Sequence, residues 1–128
     1  MKIIGNGVDI IENRRIKNSI KNKKIINQVY SNSEINDSKK IKNKTNFFAK
    51  RFAAKEAFVK SIGTGFKYGI NFNDITVKNN KSGKPVLILN RKLKNLLKQR
   101  LNLKKFKINL SLADENKYSI AFVIINKI

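Results

Sequence analysis

The chain has 128 residues, 41% of them hydrophobic, enough to bury one modest core and read as a single domain over residues 1–128. It holds no cysteine and no histidine, which excludes disulfides, thiolate zinc sites and histidine bases. Its 29 Lys+Arg against 8 Asp+Glu give a formal charge of +21, so a polyanion such as nucleic acid or an acidic protein is the partner class to test.

The N-terminal KIIGNGVDII (2–11) is rich in β-branched residues and predicts a strand interrupted by Gly5 and Gly7, with Asp9 near its end. It is too short and too interrupted for a signal peptide or a membrane span, so a cytoplasmic protein without a membrane partner is expected. From Glu12 to about Val29, isoleucines at mostly helical spacings predict one helix. The polar stretch 31–46 opens with Ser31–Glu34 or Ser33–Asp37, either of which offers a capping box for a short helix before a mobile connection.

The strongest helical pattern is Phe47 to Ile62. Phe48, Phe52, Val59 and Ile62 fall on one side, Phe47 and Phe58 widen that arc, and Ala53, Ala54 and Ala57 fall on another. Gly63-Thr64-Gly65 ends it. Asp74–Asn79 and Pro85–Leu89 predict a hairpin about the turn NNKSGK, Arg91–Leu103 a basic amphipathic helix, and Lys107–Ser111 with Tyr118–Ile125 a second hairpin. Strands and helices are mixed without strict alternation, so the class is α+β.

Most of the acids lie in polar stretches and read as solvated faces or turns. Asp9, at the end of an apolar strand, and Glu56, flanking the arc of the central helix, do not. Each either pairs with a nearby lysine or joins the other around a hard cation. With oxygen ligands only, that cation would be Mg²⁺, which is typically held by one or two carboxylates while substrate phosphates and waters complete its shell. Lys60, four residues after Glu56, is then either its surface ion-pair partner or a contact for a phosphate. Lys55 falls within the apolar arc, where it either snorkels past Phe48 and Val59 or meets an acid from elsewhere.

Four blocks in this order, IIGNGVDIIENRRI (3–16), FFAKRFAAKEAFVKSIGTG (47–65), SGKPVL (82–87) and NLSLADENKYSIAFVII (109–125), resemble the holo-acyl-carrier-protein synthases, short bacterial 4′-phosphopantetheinyl transferases. The intervals 17–46 and 88–107 carry little of this signal. The resemblance implies a small α+β domain with an antiparallel sheet packed on a long central helix. It further implies Mg²⁺-dependent transfer of phosphopantetheine from coenzyme A to a serine of an apo-acyl carrier protein, releasing adenosine 3′,5′-bisphosphate. By it, Asp9 and Glu56 match the metal-binding acids and Lys60 the lysine that meets the diphosphate. Arg51, Gly63-Thr64-Gly65 and Gly83-Lys84-Pro85 match coenzyme A contacts, and Arg15, with Arg14 beside it, matches a position that docks the acidic carrier. A homotrimer with coenzyme A between subunits is implied as well.

One position departs from the pattern of many members. Asp114 stands where they have a histidine, so the serine proton would pass to Glu56 or to a water on the metal. The rival reading, a non-catalytic nucleic-acid-binding module driven by the lysine excess, has no account of Glu56 and no groove-reading motif behind it. No nucleic-acid partner is therefore expected.

Overall fold

The chain's first strand crosses its longest helix, and the rest of the architecture holds that crossing in place. The computed structural model describes residues 2–128. The order is β1 (Lys2–Glu12), α1 (Asn13–Ser19), α2 (Lys23–Val29), α3 (Asn32–Ser38), α4 (Lys44–Ser61), a 3-10 turn (Phe72–Asp74), β2 (Ile75–Asn79), β3 (Pro85–Leu89), α5 (Arg91–Leu101), β4 (Phe106–Asp114) and β5 (Tyr118–Lys127). The strands form two antiparallel sheets, β1-β5-β4 and β2-β3, each containing one of the two expected hairpins. In the larger sheet Val8 lies opposite Phe122, and Ser111 lies opposite the same phenylalanine from the other side.

The single helix expected from Glu12 to Val29 is two. The first run ends at Ser19, and Asn22 caps the second, its side-chain oxygen accepting from the backbone N–H groups of Lys24 and Ile25. The Ser31–Glu34 alternative is the capping box that forms, with each side chain satisfying the other residue's backbone. Asn13 fastens α1 to the far hairpin: its Nδ2 donates to the carbonyls of Glu115 (2.8 Å) and Asn116 (3.2 Å), while its Oδ1 accepts from Ser119.

Helix α4 is buried around most of its circumference, the phenylalanine arc and the alanine side alike. The alanines bring the β1-β5-β4 sheet close, and Gly5 and Gly7 complete the approach. A Cβ on Gly5 would overlap the carbonyl oxygen of Ser61, and one on Gly7 that of Ala57. The opposite side of α4 carries Phe48 against Tyr30 and Phe58 into the core, and Phe52 stacks on Phe72 at 5.3 Å. At its C-terminus, Gly63 takes the left-handed conformation (φ 75°) that ends the helix without strain.

Candidate functional site

Successive side chains of a strand alternate between faces, so residues 5, 7, 9 and 11 of β1 share one. Gly5 and Gly7 lie against α4 and Ile11 is buried. Asp9, between them, is the first residue of that row whose side chain carries charge, and it emerges beside the outer edge of α4. There Lys60 Nζ lies 3.0 Å from Asp9 Oδ1 and also donates to the carbonyl of Val8 at 3.1 Å. Lys60 therefore pairs across the crossing with Asp9, where its helical spacing had offered Glu56.

Glu56 sits one turn earlier on the same helix, half-buried. Burial and then the neighbouring Asp9 carboxylate push its pKa up, against the opposing pull of Lys60 and of Arg15 on α1. Two carboxylates thus crowd one point, partly desolvated and partly open to solvent. Their mutual repulsion is relieved by a proton or by a cation, and the donor set, carboxylate oxygens without nitrogen or sulfur ligands, fits a hard divalent ion. The described residues contain no cluster of three metal-ligating side chains, so any ion held here would leave most of its shell to substrate and water.

A second group of expected residues gathers on the other side of α4. Arg51, Gly83 and Pro85 line a cavity of about 380 Å³ together with Asn46, Lys50 and Asp114. Arg51 is 5% exposed, and its guanidinium lies 3.5 Å above the Phe47 ring and donates to the Phe47 carbonyl, while its Nε has no partner. Burial lowers its pKa, opposed by the charges of Glu34 and Asp37. Asp114 accepts from Asn46 Nδ2 at 2.8 Å and faces Lys50 at 3.5 Å, so it fixes two donors at the cavity wall. The sequence reading passed over Asn46 and Lys50, although their spacing of four from each other on a helix was the available signal.

The other expected residues lie apart from these two groups. Gly63, Thr64 and Gly65 form the turn at the end of α4, where the Thr64 hydroxyl donates to the Gly65 carbonyl. Lys84 is exposed on the β2-β3 turn, its backbone N–H bonded to Asn80. Arg14 and Arg15 are exposed on α1, with Arg15 within electrostatic reach of Glu56.

Glu34 corrects the reading of acids in polar stretches as solvated. It is fully buried, and its Oε1 meets Lys55 Nζ at 2.6 Å, also with both side chains fully buried. This is the acid from elsewhere that the lysine in the apolar arc required. Lys55 also donates to the Val29 carbonyl (2.8 Å), and Glu34 Oε2 accepts from the Val77 backbone (2.9 Å). One ion pair thereby ties α2, α3, α4 and β2 together directly behind the Glu56 position.

Comparison with known proteins bears on the family and the fold. The family model of the 4′-phosphopantetheinyl transferase superfamily matches residues 5–123. A holo-[acyl-carrier-protein] synthase of Pelagibacter ubique is 54% identical over 127 residues, covering 99% of both chains. Among solved structures, the holo-[acyl-carrier-protein] synthase of Neisseria meningitidis superposes with a TM-score of 0.88 at 31% identity, over 98% of this chain and 99% of that one. That of Bacillus anthracis, solved in complex with coenzyme A (3′,5′-ADP), superposes with a TM-score of 0.80 at 33% identity over 98% and 97%.

Proposed function

The chain belongs to the 4′-phosphopantetheinyl transferase superfamily, and from that premise we infer that it catalyses the holo-acyl-carrier-protein synthase reaction. It moves 4′-phosphopantetheine from coenzyme A to a serine hydroxyl of an apo-acyl carrier protein and releases adenosine 3′,5′-bisphosphate. The whole of 1–128 acts as one domain. The observation that carries the residue assignment is the glycine-mediated crossing of β1 over α4, which gathers Asp9, Glu56 and Lys60 at one point.

In this reading Asp9 and Glu56 hold Mg²⁺. The ion, when bound, supplies positive charge against the negative charge that builds on the leaving phosphate. Lys60 exchanges its contact with Asp9 for the diphosphate of coenzyme A, a small change because the Lys60 side chain is 53% exposed and such a pair is worth about 0–1 kcal/mol. The orphaned Arg51 Nε, Lys50 and Asn46 receive the nucleotide end in the cavity on the other side of α4, flanked by Gly83 and Pro85, with coenzyme A lying between subunits. Lys84 and the Gly63-Thr64-Gly65 turn, which lie apart from that cavity within one subunit, meet the same ligand where subunits adjoin. With no histidine in the chain, the serine proton passes to Glu56 or to solvent.

Arg14 and Arg15, exposed on α1 beside Glu56, dock the acidic carrier and deliver its serine to the metal-binding pair. The chain assembles as a homotrimer through the outer face of the β1-β5-β4 sheet. That face leaves Val8 53% and Ile10 59% exposed, with Ile120 and Phe122 opposite them, an apolar surface with no cover within one subunit. Light scattering of the purified protein measures this directly: a monomeric mass refutes the trimer, and Phe122→Lys shifts a trimer towards monomer.

The reaction itself is tested by mixing the protein with coenzyme A, Mg²⁺ and apo-carrier protein and reading the carrier by mass spectrometry for an adduct of about 340 Da. Absence of the adduct with several carriers overturns the proposal.

A further inference from the structure

A cavity of about 690 Å³ shares no residue with the Asp9–Glu56–Lys60 cluster or with the Arg51 cavity. It exists because the two sheets do not join. β3 is the free edge of one sheet and β4 the free edge of the other, the two are neighbours without a hydrogen-bonded ladder, and α5 lies over the gap. Side chains fill the floor where backbone pairing is missing: Leu87, Leu89, Leu103, Phe106 and Ile108.

Around this apolar floor stand Lys94 and Lys98 from α5, Lys104 and Lys105 from the connection, and Lys107 from β4. No Asp or Glu lines the cavity, and among the described residues none of these five lysines pairs with a carboxylate, although five other lysines do. An apolar trough with a ring of unneutralised ammonium groups is complementary to one ligand shape, a chain of hydrocarbon ending in a negative charge. The volume falls inside the range of about 300–1,000 Å³ typical of small-molecule sites.

We propose that the groove between β3, β4 and α5 binds a single-chain anionic amphiphile, a fatty carboxylate, with its hydrocarbon on the Leu87–Leu89–Phe106 floor and its head group among the lysines. The head is held by flexible point charges rather than an arginine fork, so attraction falls with salt, while the chain-length dependence comes from the floor.

Isothermal titration calorimetry of the full chain with dodecanoate, kept below its micelle concentration, tests this. The expected result is saturable binding of one ligand per chain, lost with butanoate and with dodecyl maltoside, whose head is uncharged. Ile88→Asp, at a lining residue that is 46% exposed, adds a repelling charge without disturbing the core. That variant, and separately joint replacement of Lys94, Lys98, Lys104, Lys105 and Lys107 by serine, weakens binding by about tenfold or more, while phosphopantetheine transfer in the absence of dodecanoate is unchanged in Ile88→Asp. Several outcomes overturn the proposal: no saturable binding, equal binding by the parent and both variants, or binding of an acidic peptide or of phosphatidylglycerol vesicles in place of dodecanoate. A lysine ring that only shields two sheet edges from pairing with other chains gives the first of these.

Discussion

Replacing Lys55 by Met tests whether the buried pair behind the site is structural. The substitution keeps the length and most of the volume of the side chain but removes its charge, leaving the Glu34 carboxylate in a fully buried position. Ser31 and Val77 still donate to that carboxylate, and Val29 loses the donor on its carbonyl. Removing one partner of a buried ion pair costs about 3–5 kcal/mol, a large part of the roughly 5–15 kcal/mol that holds a domain folded. Adding Glu34→Gln retains an oxygen acceptor for Val77 without the charge, so the double variant recovers part of the loss, and the two effects fall short of additivity by more than 0.5 kcal/mol, roughly the threshold for coupled neighbours. Urea unfolding followed by circular dichroism measures all three variants. A loss of less than about 1 kcal/mol for Lys55→Met, or strict additivity, refutes the argument that charge compensation governs this position.

Other variants probe the site and its supports. Gly7→Ala forces β1 away from the Ala57 carbonyl, and thermal unfolding together with the transfer assay should show a destabilisation of about 1–3 kcal/mol and weakened activity. Glu56→Gln lowers turnover by about a hundredfold or more. The same change stabilises the metal-free protein at neutral pH. Burial and Asp9 raise the Glu56 pKa in the folded state, so the parent is favoured below the unfolded value of 4.5 and loses that advantage as pH rises through the shifted one. Unfolding curves that separate parent from variant at low pH but not at neutral pH contradict this.

Asp74 gives the opposite slope. Burial alone would raise its pKa, but the Asn71 backbone, Lys92 and Asn90 together hold it below 3.8, so its stabilisation is present above that value and disappears as pH falls through the depressed one. Asp74→Asn should therefore be less stable than the parent at neutral pH by about 1–3 kcal/mol, with the gap closing in acid on a stability–pH profile.

The sequence disclosed the elements better than their surroundings. Gly5 and Gly7 marked an interrupted strand, yet what they approach, the carbonyls of Ser61 and Ala57, lies 56 and 50 residues away and leaves no local trace. Asp9 and Glu56 were legible as candidates because both acids stood in apolar contexts where solvation could not explain them. Glu34 was hidden for the converse reason: its neighbours Asn32, Ser33 and Asn36 are polar, and only the arrival of Lys55 and Val77 makes that position interior. The split between α1 and α2 was missed because Ile16 and Ile20 before the break, and Ile25 and Val29 after it, each keep a helical spacing of four, while the break itself depends on one asparagine cap.

The strand that carries Asp9 has one strand partner, β5, at the opposite end of the chain, with Asp9 in register with Ala121. That pairing closes a loop of more than a hundred residues, the slow kind of contact in a folding chain. During synthesis β1 emerges first and waits for the residues from Tyr118 onward before its ladder can form. Packing against α4 needs no part of β5, but the ladder that holds β1 in register waits for nearly the whole polypeptide, and a chain cut short before β5 would leave the strand that carries Asp9 without a strand partner.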